Sequence, residues 1–245
     1  MNLAIIQARM GSNRLPGKVL RQINGKPLLA HQIDRVSKSK LIDKIIVATS
    51  TQTQDQAIVD FCAKSNITCF RGDHHDVLGR YYSAAKQYNA KNIIRLTGDC
   101  PLVFNKTIDE VVNLFLKSHV DYAANTVPWE TSTFPNGSDV EVFSFEALER
   151  AFVDCKNDLD REHVTFYFWK NPDLFKIIQL KHELNLSKIR YTVDYPNDLP
   201  VIEFLLNQIA TSNIEGSEIE LSNLILQNPE LQSLNQNYKF TDGWV

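Results

Sequence analysis

The 245-residue sequence is short of cysteine, glycine and proline, and it has no long apolar stretch. Its four cysteines, Cys62, Cys69, Cys100 and Cys155, form no C-x-x-C pair. In a reducing compartment four scattered thiols are expected as core fillers in preference to disulfides or zinc ligands. No run approaches the roughly 18 apolar residues of a membrane span, and MNLAIIQARMG meets charge too early, without a small-residue cleavage pattern, to read as a signal peptide. Charge of one sign is also missing: 26 Lys and Arg against 29 Asp and Glu leave a net charge of −3. This balance offers no general attraction for nucleic acid or an anionic membrane. The expectation is a cytoplasmic protein with neither as a partner, in which any anion site is local.

What is present is alternation. Short β-branched runs (residues 3–8, 44–49, 67–70, 92–96, 121–124, 140–143, 175–180 and 190–193) are separated by segments of helical period (29–37, 54–64, 77–88, 107–118, 145–151, 161–170, 199–209 and 218–226). Strands alternating with helices predict an α/β fold: a Rossmann-like, mostly parallel sheet flanked by helices, with its ligand at the carboxyl ends of the strands. The order loosens after the turn-rich PWETSTFPNGSD, so residues 125–189 are read as a smaller irregular lobe on a single domain spanning 1–245. The tail NQNYKFTDGWV, polar with isolated aromatics, is suited to docking on the body or on a partner chain.

The first strand runs into ARMGSNRLPGK, which places Arg9, Arg14 and Lys18 among Gly11, Ser12, Pro16 and Gly17. A glycine-bearing loop at a strand end can turn its backbone N–H groups toward an anion, and three cations add charge-assisted bonds to phosphate oxygens. A P-loop is excluded, because five residues lie between Gly11 and Gly17 and Val19 follows Lys18 where Ser or Thr is needed; G-x-G-x-x-G is absent as well. The plain alternative is a solvated turn. Two further segments weigh against it: NIIRLTGDCPL ends an apolar run in Thr97, Gly98 and Asp99, and KIRYTVDYPNDL ends one in Asp194. Either Asp alone suits a turn or a helix cap. Together, carboxylates at two strand ends suit Mg²⁺ shared with phosphate oxygens and water.

IIQARMGSNRLPGKVLRQINGKPLL closely resembles the opening of the cytidylyltransferases that make CMP-sugars, the CMP-Kdo and CMP-acylneuraminate synthetases. LTGDCPL resembles their metal-bearing strand end, TVDYPNDL their second metal carboxylate, and GDHHDVLGRYYSAAK the segment carrying a nucleotide-contacting arginine. The pattern is nearest the SpsF-type branch and runs in order from residue 3 to about 205. The resemblance implies that Ala8, Arg9 and Gly11 lie against the nucleotide, with Thr97 and Gly98 at the strand end and Arg80 as the later arginine. It also implies that Ser12, Arg14 and Lys18 hold the triphosphate of CTP, that Asp99 and Asp194 hold Mg²⁺, and that the chain is a homodimer through the irregular lobe. Arg14, Lys18 and Asp99 are the expected catalytic set. Cys100 stands where the Kdo enzymes carry an acidic residue, and the Kdo branch's later sugar-recognition motif is not evident.

The expected reaction is attack of an acidic, 2-keto or nonulosonic-type sugar hydroxyl on the α-phosphorus of CTP, with loss of pyrophosphate, for a surface polysaccharide. A nucleotide-sugar glycosyltransferase and a non-catalytic nucleotide-binding protein are the competing readings; three cations in one loop favour a triphosphate. His74 and His75 beside Asp73 and Asp76 read as a loop and helix cap in preference to a metal cluster. Arg161 and His163 in DREHVTFYFWK read as a helix start or as a sugar contact or dimer surface.

Overall fold

The buried run Leu3 to Ile6 forms the spine of the sheet, because an apolar strand covered on both faces is stable only between neighbours. The computed structural model describes every residue except Asn213, Glu215, Trp244 and Val245. The strands are β1 (Asn2–Gln7), β2 (Gln22–Ile23), β3 (Lys26–Pro27), β4 (Lys44–Ser50), β5 (Thr68–Gly72), β6 (Asn92–Thr97), β7 (Tyr122–Ala124), β8 (Glu141–Ser144) and β9 (Ile177–Gln179). Between them lie α1 (Leu28–Val36), α2 (Gln56–Lys64), α3 (Val77–Gln87), α4 (Asn105–Ser118), α5 (Phe145–Asp154), α6 (Asp158–His163) and α7 (Phe166–Lys170). The chain continues through α8 (Asp198–Thr211), α9 (Glu218–Leu226) and α10 (Pro229–Asn235).

Seven strands form one sheet in the order β5-β4-β1-β6-β8-β7-β9, and β2 and β3 form a separate hairpin. β5, β4, β1 and β6 are parallel, as the alternation predicts; β8 runs antiparallel to both β6 and β7. Strands of the irregular region thus extend the main sheet. One apolar layer packs Leu3, Ile5 and Ile93 against Tyr81, Leu148 and Phe168 of α3, α5 and α7. The opposite layer packs Ala4, Ile6 and Ile94 against Ile33, Ile58 and Val111 of α1, α2 and α4. In α4 the buried positions Thr107, Ile108, Val111, Val112 and Phe115 fall on one helical stripe.

A third cluster matters most for the site. Leu15, Leu102 and Val193 are buried together against Val201, Ile202 and Leu205 of α8. Each such side chain contributes about 1.5–3 kcal/mol on leaving water. This small core therefore fastens three loops from distant parts of the chain to one helix.

Three sequence expectations need correction. Residues 190–193 are extended but form no strand; only an isolated bridge joins Arg190 to Asn136. The single helix expected over 161–170 is two short helices, broken at Val164 (φ 60°, ψ −63°), where the Thr165 amide donates to the His163 carbonyl at 2.6 Å. The β2–β3 hairpin and α10 were not expected at all. The C-terminal segment docks on the body through residues 238–242, and the part of that expectation falling on Trp244 and Val245 lies outside the described residues.

Candidate active site

β1 ends at Gln7, and the loop that follows folds on itself before Lys18 opens a short 3-10 turn. The Met10 carbonyl accepts from the amides of Ser12 (3.0 Å) and Gly17 (2.9 Å), while the Met10 amide donates to the buried Asp55 carboxylate (2.7 Å). Gly17 is left-handed (φ 70°), a conformation that costs glycine nothing. Leu15 donates to the Ser12 hydroxyl and Lys18 to the Leu15 carbonyl. The amides of Ser12, Leu15, Gly17 and Lys18 are thus spent inside the turn, and that of Met10 on Asp55.

Those side chains meet the two aspartates. Lys18 Nζ donates to Asp99 Oδ2 at 2.8 Å and to Asp194 Oδ1 at 2.9 Å, and Arg14 Nη2 donates to Asp194 Oδ1 at 2.6 Å. Two backbone contacts fix this meeting. Gly98 donates its amide to the Gln7 carbonyl at 2.8 Å, and a Cβ at Gly98 would lie 3.0 Å from that oxygen and 3.3 Å from Ala8 and Val19, so the close approach of the two strand ends favours glycine. On the other side, the Val193 amide and the Thr192 hydroxyl both donate to the Asp99 carbonyl, at 2.8 and 3.1 Å.

Asp198 holds the far end in place. Fully buried, it accepts from Arg190 Nε and Nη2, from the amides of Asp194 and Tyr195, and from the Asn235 side chain. Arg190 Nη2 also donates to Asp194 Oδ2 at 3.0 Å. The electrostatics follow. Burial disfavours an ionised Asp99, but the Lys18 ammonium outweighs it and holds the carboxyl below its ordinary range. Asp194 is held well below that range because Lys18, Arg14 and Arg190 overcome its desolvation. Burial likewise opposes the charge on Lys18, and the two carboxylates prevail and raise it.

This cluster sits in a cleft of about 430 Å³ at the carboxyl ends of β1 and β6, within the size range of small-molecule sites. Ala8, Arg9, Ser12, Arg14, Lys18, Thr97, Gly98, Asp99 and Asp194 all line it. Gly11 and Arg80 do not. A Cβ at Gly11 would meet Gln54 at 2.8 Å, and the buried Arg80 guanidinium donates to the carbonyls of Asp73 and His74. Asp76 caps α3 at the Gly79 amide and accepts two bonds from Arg161, which ties α6 to α3. The His-Asp run is therefore a loop and cap, as read from the sequence.

The other half of the cleft contains Arg95 and Glu141, which the sequence reading did not assign, and His163, which it left between a helix start and a sugar contact or dimer surface. Arg95 and Glu141, paired across β6 and β8, form a buried ion pair, and Tyr122 donates to the second Glu141 oxygen at 2.7 Å. A charge inside each of the apolar runs NIIRLT and VEVF was the available signal. His163, stacked on Phe166 at 4.2 Å, forms part of the opposing wall. Burial and then the Arg95 charge lower its pKa to about 4, so the imidazole is neutral at pH 7. The Cys100 thiol, pushed well above its ordinary range by burial and by Asp139 and Asp99, stays protonated 3.6 Å from Asp99 Oδ1.

Among the described residues no group of three or more His, Cys, Asp and Glu side chains gathers as a metal cage. The donor set is a pair of ionised carboxylates joined by one ammonium. That chemistry fits Mg²⁺, a hard cation that is commonly held by one or two carboxylates with the balance from phosphates and water.

The family model described as cytidylyltransferase matches residues 3–218. The chain belongs to the cytidylyltransferase family. Among its relatives, the spore coat polysaccharide biosynthesis protein SpsF of Bacillus subtilis is 32% identical over 235 residues, covering 93% of this chain and 95% of that one. The 3-deoxy-manno-octulosonate cytidylyltransferase of Pelobacter propionicus is 35% identical over 117 residues, 47% of this chain and 45% of its own. Among solved structures, a cytidylyltransferase from Leptospira borgpetersenii is 32% identical and superimposes with a TM-score of 0.87 over 98% of both chains. The cleft of this cytidylyltransferase is thus where the parallel-sheet rule places a ligand, outside the carboxyl ends of the strands at β1 and β6.

Proposed function

We propose that this cytidylyltransferase transfers CMP from CTP to the hydroxyl of an acidic sugar of the 2-keto or nonulosonic type, releasing pyrophosphate, in the making of a surface polysaccharide. The observation that carries the reading is the Lys18 ammonium shared by Asp99 and Asp194, with Arg14 alongside, at the strand-end cleft. The names of the relatives favour a sugar acid and a polysaccharide.

The sugar hydroxyl gives up its proton to solvent water as its oxygen forms a bond to the α-phosphorus, the bond from that phosphorus to the α,β-bridging oxygen breaks, and pyrophosphate carries away the electron pair. Negative charge grows on the leaving group and on the equatorial oxygens. Lys18 and Arg14 exchange carboxylate oxygens for phosphate oxygens and neutralise that charge from fixed positions. Arg9, 42% exposed and only 3.5 Å from Glu162, is free to swing to the nucleotide at little cost. Asp99 and Asp194 would hold Mg²⁺, which supplies charge neutralisation at the phosphates when bound. Ala8, Ser12, Thr97 and Gly98 shape the nucleotide side of the cleft, and His163 offers the acceptor a neutral imidazole. In this reading the enzyme acts in the cytoplasm as a homodimer through residues 125–189.

The test is pyrophosphate release with each of CTP, UTP, ATP and GTP against a panel of sugar acids, with Mg²⁺ present. CTP-dependent release with an acidic sugar is the expected result. CTP binding without release would point to a nucleotide-binding protein, and consumption of a nucleotide-sugar would point to a glycosyltransferase.

A further inference from the structure

We propose that the C-terminal segment, residues 236–243, belongs to the nucleotide site: acting through Tyr195 it steadies Arg14, which makes Tyr195 and Tyr238 positioning residues for a cation that meets the triphosphate. The inference rests on the role given to Arg14 above.

Arg14 Nη2 donates to Asp194 Oδ1 at 2.6 Å, and its guanidinium, which also meets the Tyr195 hydroxyl, lies 4.9 Å from the centre of the Tyr195 ring. Tyr195 is in turn stacked on Tyr238, with centroids 3.8 Å apart and planes at 13°. The stack is anchored at both ends. The Asn235 side chain donates to Asp198 Oδ1 at 2.9 Å, which fixes the point where α10 hands over to the tail. Beyond Tyr238, Asp242 accepts from the Lys239 amide at 2.9 Å and from the Tyr195 hydroxyl at 3.5 Å, and both Phe240 and Asp242 line the cleft. The tail therefore passes along the cleft edge and stacks on Tyr195, the ring beside Arg14.

The arrangement answers a physical need. When phosphate draws Lys18 and Arg14 away from Asp194, a long arginine side chain without a surface to lie on would sample many rotamers. A flat aromatic ring beside the guanidinium limits that freedom. Tyr238 keeps Tyr195 in that place by covering it.

The experiment is a double-mutant cycle in the full-length protein. Tyr238→Leu and Tyr238→Phe are each made with Arg14 intact and with Arg14→Ala, and KM for CTP, kcat for pyrophosphate release and Tm are measured. Tyr238→Leu should raise KM for CTP about fivefold, the equivalent of one half-exposed cation–π contact. It should leave kcat within about twofold, and Tyr238→Phe should restore the native value. In the Arg14→Ala background Tyr238→Leu should change KM no further. Equal effects in both backgrounds, or an unchanged KM with Arg14 present, would overturn the inference. Calorimetric CTP affinities of the same proteins separate the two layers of argument. A wild-type protein that binds CTP while the cycle is additive defeats the tail's role alone; one that binds no CTP defeats the cytidylyl-transfer reading and this inference with it.

Discussion

Val193 donates its amide to the carbonyl of Asp99 at 2.8 Å. That bond, reinforced by the Thr192 hydroxyl, brings the carboxylates of Asp99 and Asp194 within reach of one ammonium although the two residues come from different loops. The geometry of the site is set by the backbone, and the side chains then complete its charge balance. Mutations should therefore separate into those that remove charge and those that disturb the frame.

Lys18→Ala removes charge. Turnover should fall by roughly 10²–10³, the usual loss when one preorganised electrostatic partner is deleted. Pyrophosphate release at saturating CTP and acceptor checks this; a variant within about threefold of wild type would remove Lys18 from the mechanism.

Gly98→Ala disturbs the frame. Its methyl group would lie 3.0 Å from the Gln7 carbonyl and 3.3 Å from Ala8 and Val19, so these neighbours must give by a few tenths of an ångström. The expected cost is about 1–3 kcal/mol of stability, as for other overpacked sites, with activity reduced more than the loss of folded protein explains. Urea unfolding and a specific-activity assay on the folded fraction measure the two effects.

Asp198→Ala leaves the buried Arg190 without its bidentate partner and frees the Asp194 and Tyr195 amides. Breaking a buried ion pair from one side costs about 3–5 kcal/mol. Chemical denaturation gives the value, and Asp198→Asn should recover part of it by keeping one acceptor.

Stability should also respond to acid in a predictable direction. Asp99 and Asp194 both have folded-state pKa values below their unfolded ones, so they contribute stability fully above the unfolded carboxylate range and lose it as pH falls through the lower, folded values. Lys18, raised on folding, contributes below the unfolded lysine value and loses its contribution only as pH rises beyond it. Between about pH 5 and 8 these groups leave stability flat. Below that window the wild type should lose stability more steeply than Lys18→Met, which has already lost the principal partner of both acids. Thermal melts from pH 7 down to pH 3 compare the slopes.

The sequence is legible where the signal is local. The central strand, the cationic loop and Asp99 follow from a buried run, a turn and a spacing that lie within a few residues of one another. The hairpin of β2 and β3 was equally local: Asn24 and Gly25, both left-handed, are the Asn-Gly pair that closes a two-residue hairpin. Asp198 was harder to assign, because its role depends on Arg190, two backbone amides and Asn235 converging on one carboxylate. Arg95 and Glu141 were hidden for a related reason: each has its meaning only opposite the other across two strands. The strand expected at residues 190–193 failed because its β-branched, aromatic composition reflects burial in the third apolar cluster instead of pairing in a ladder.

That third cluster carries a consequence for biosynthesis. Lys18 and Asp194 are 176 residues apart, and the loops bearing them are held by side chains of α8. While the chain is still being made, the completed β1 to β6 portion can pair its strands before the second acid and its supporting helix have left the ribosome. A nascent chain at that stage exposes Lys18 and Asp99 without their counterpart, so the ion-pair cluster closes only once Asp194 and α8 have been made.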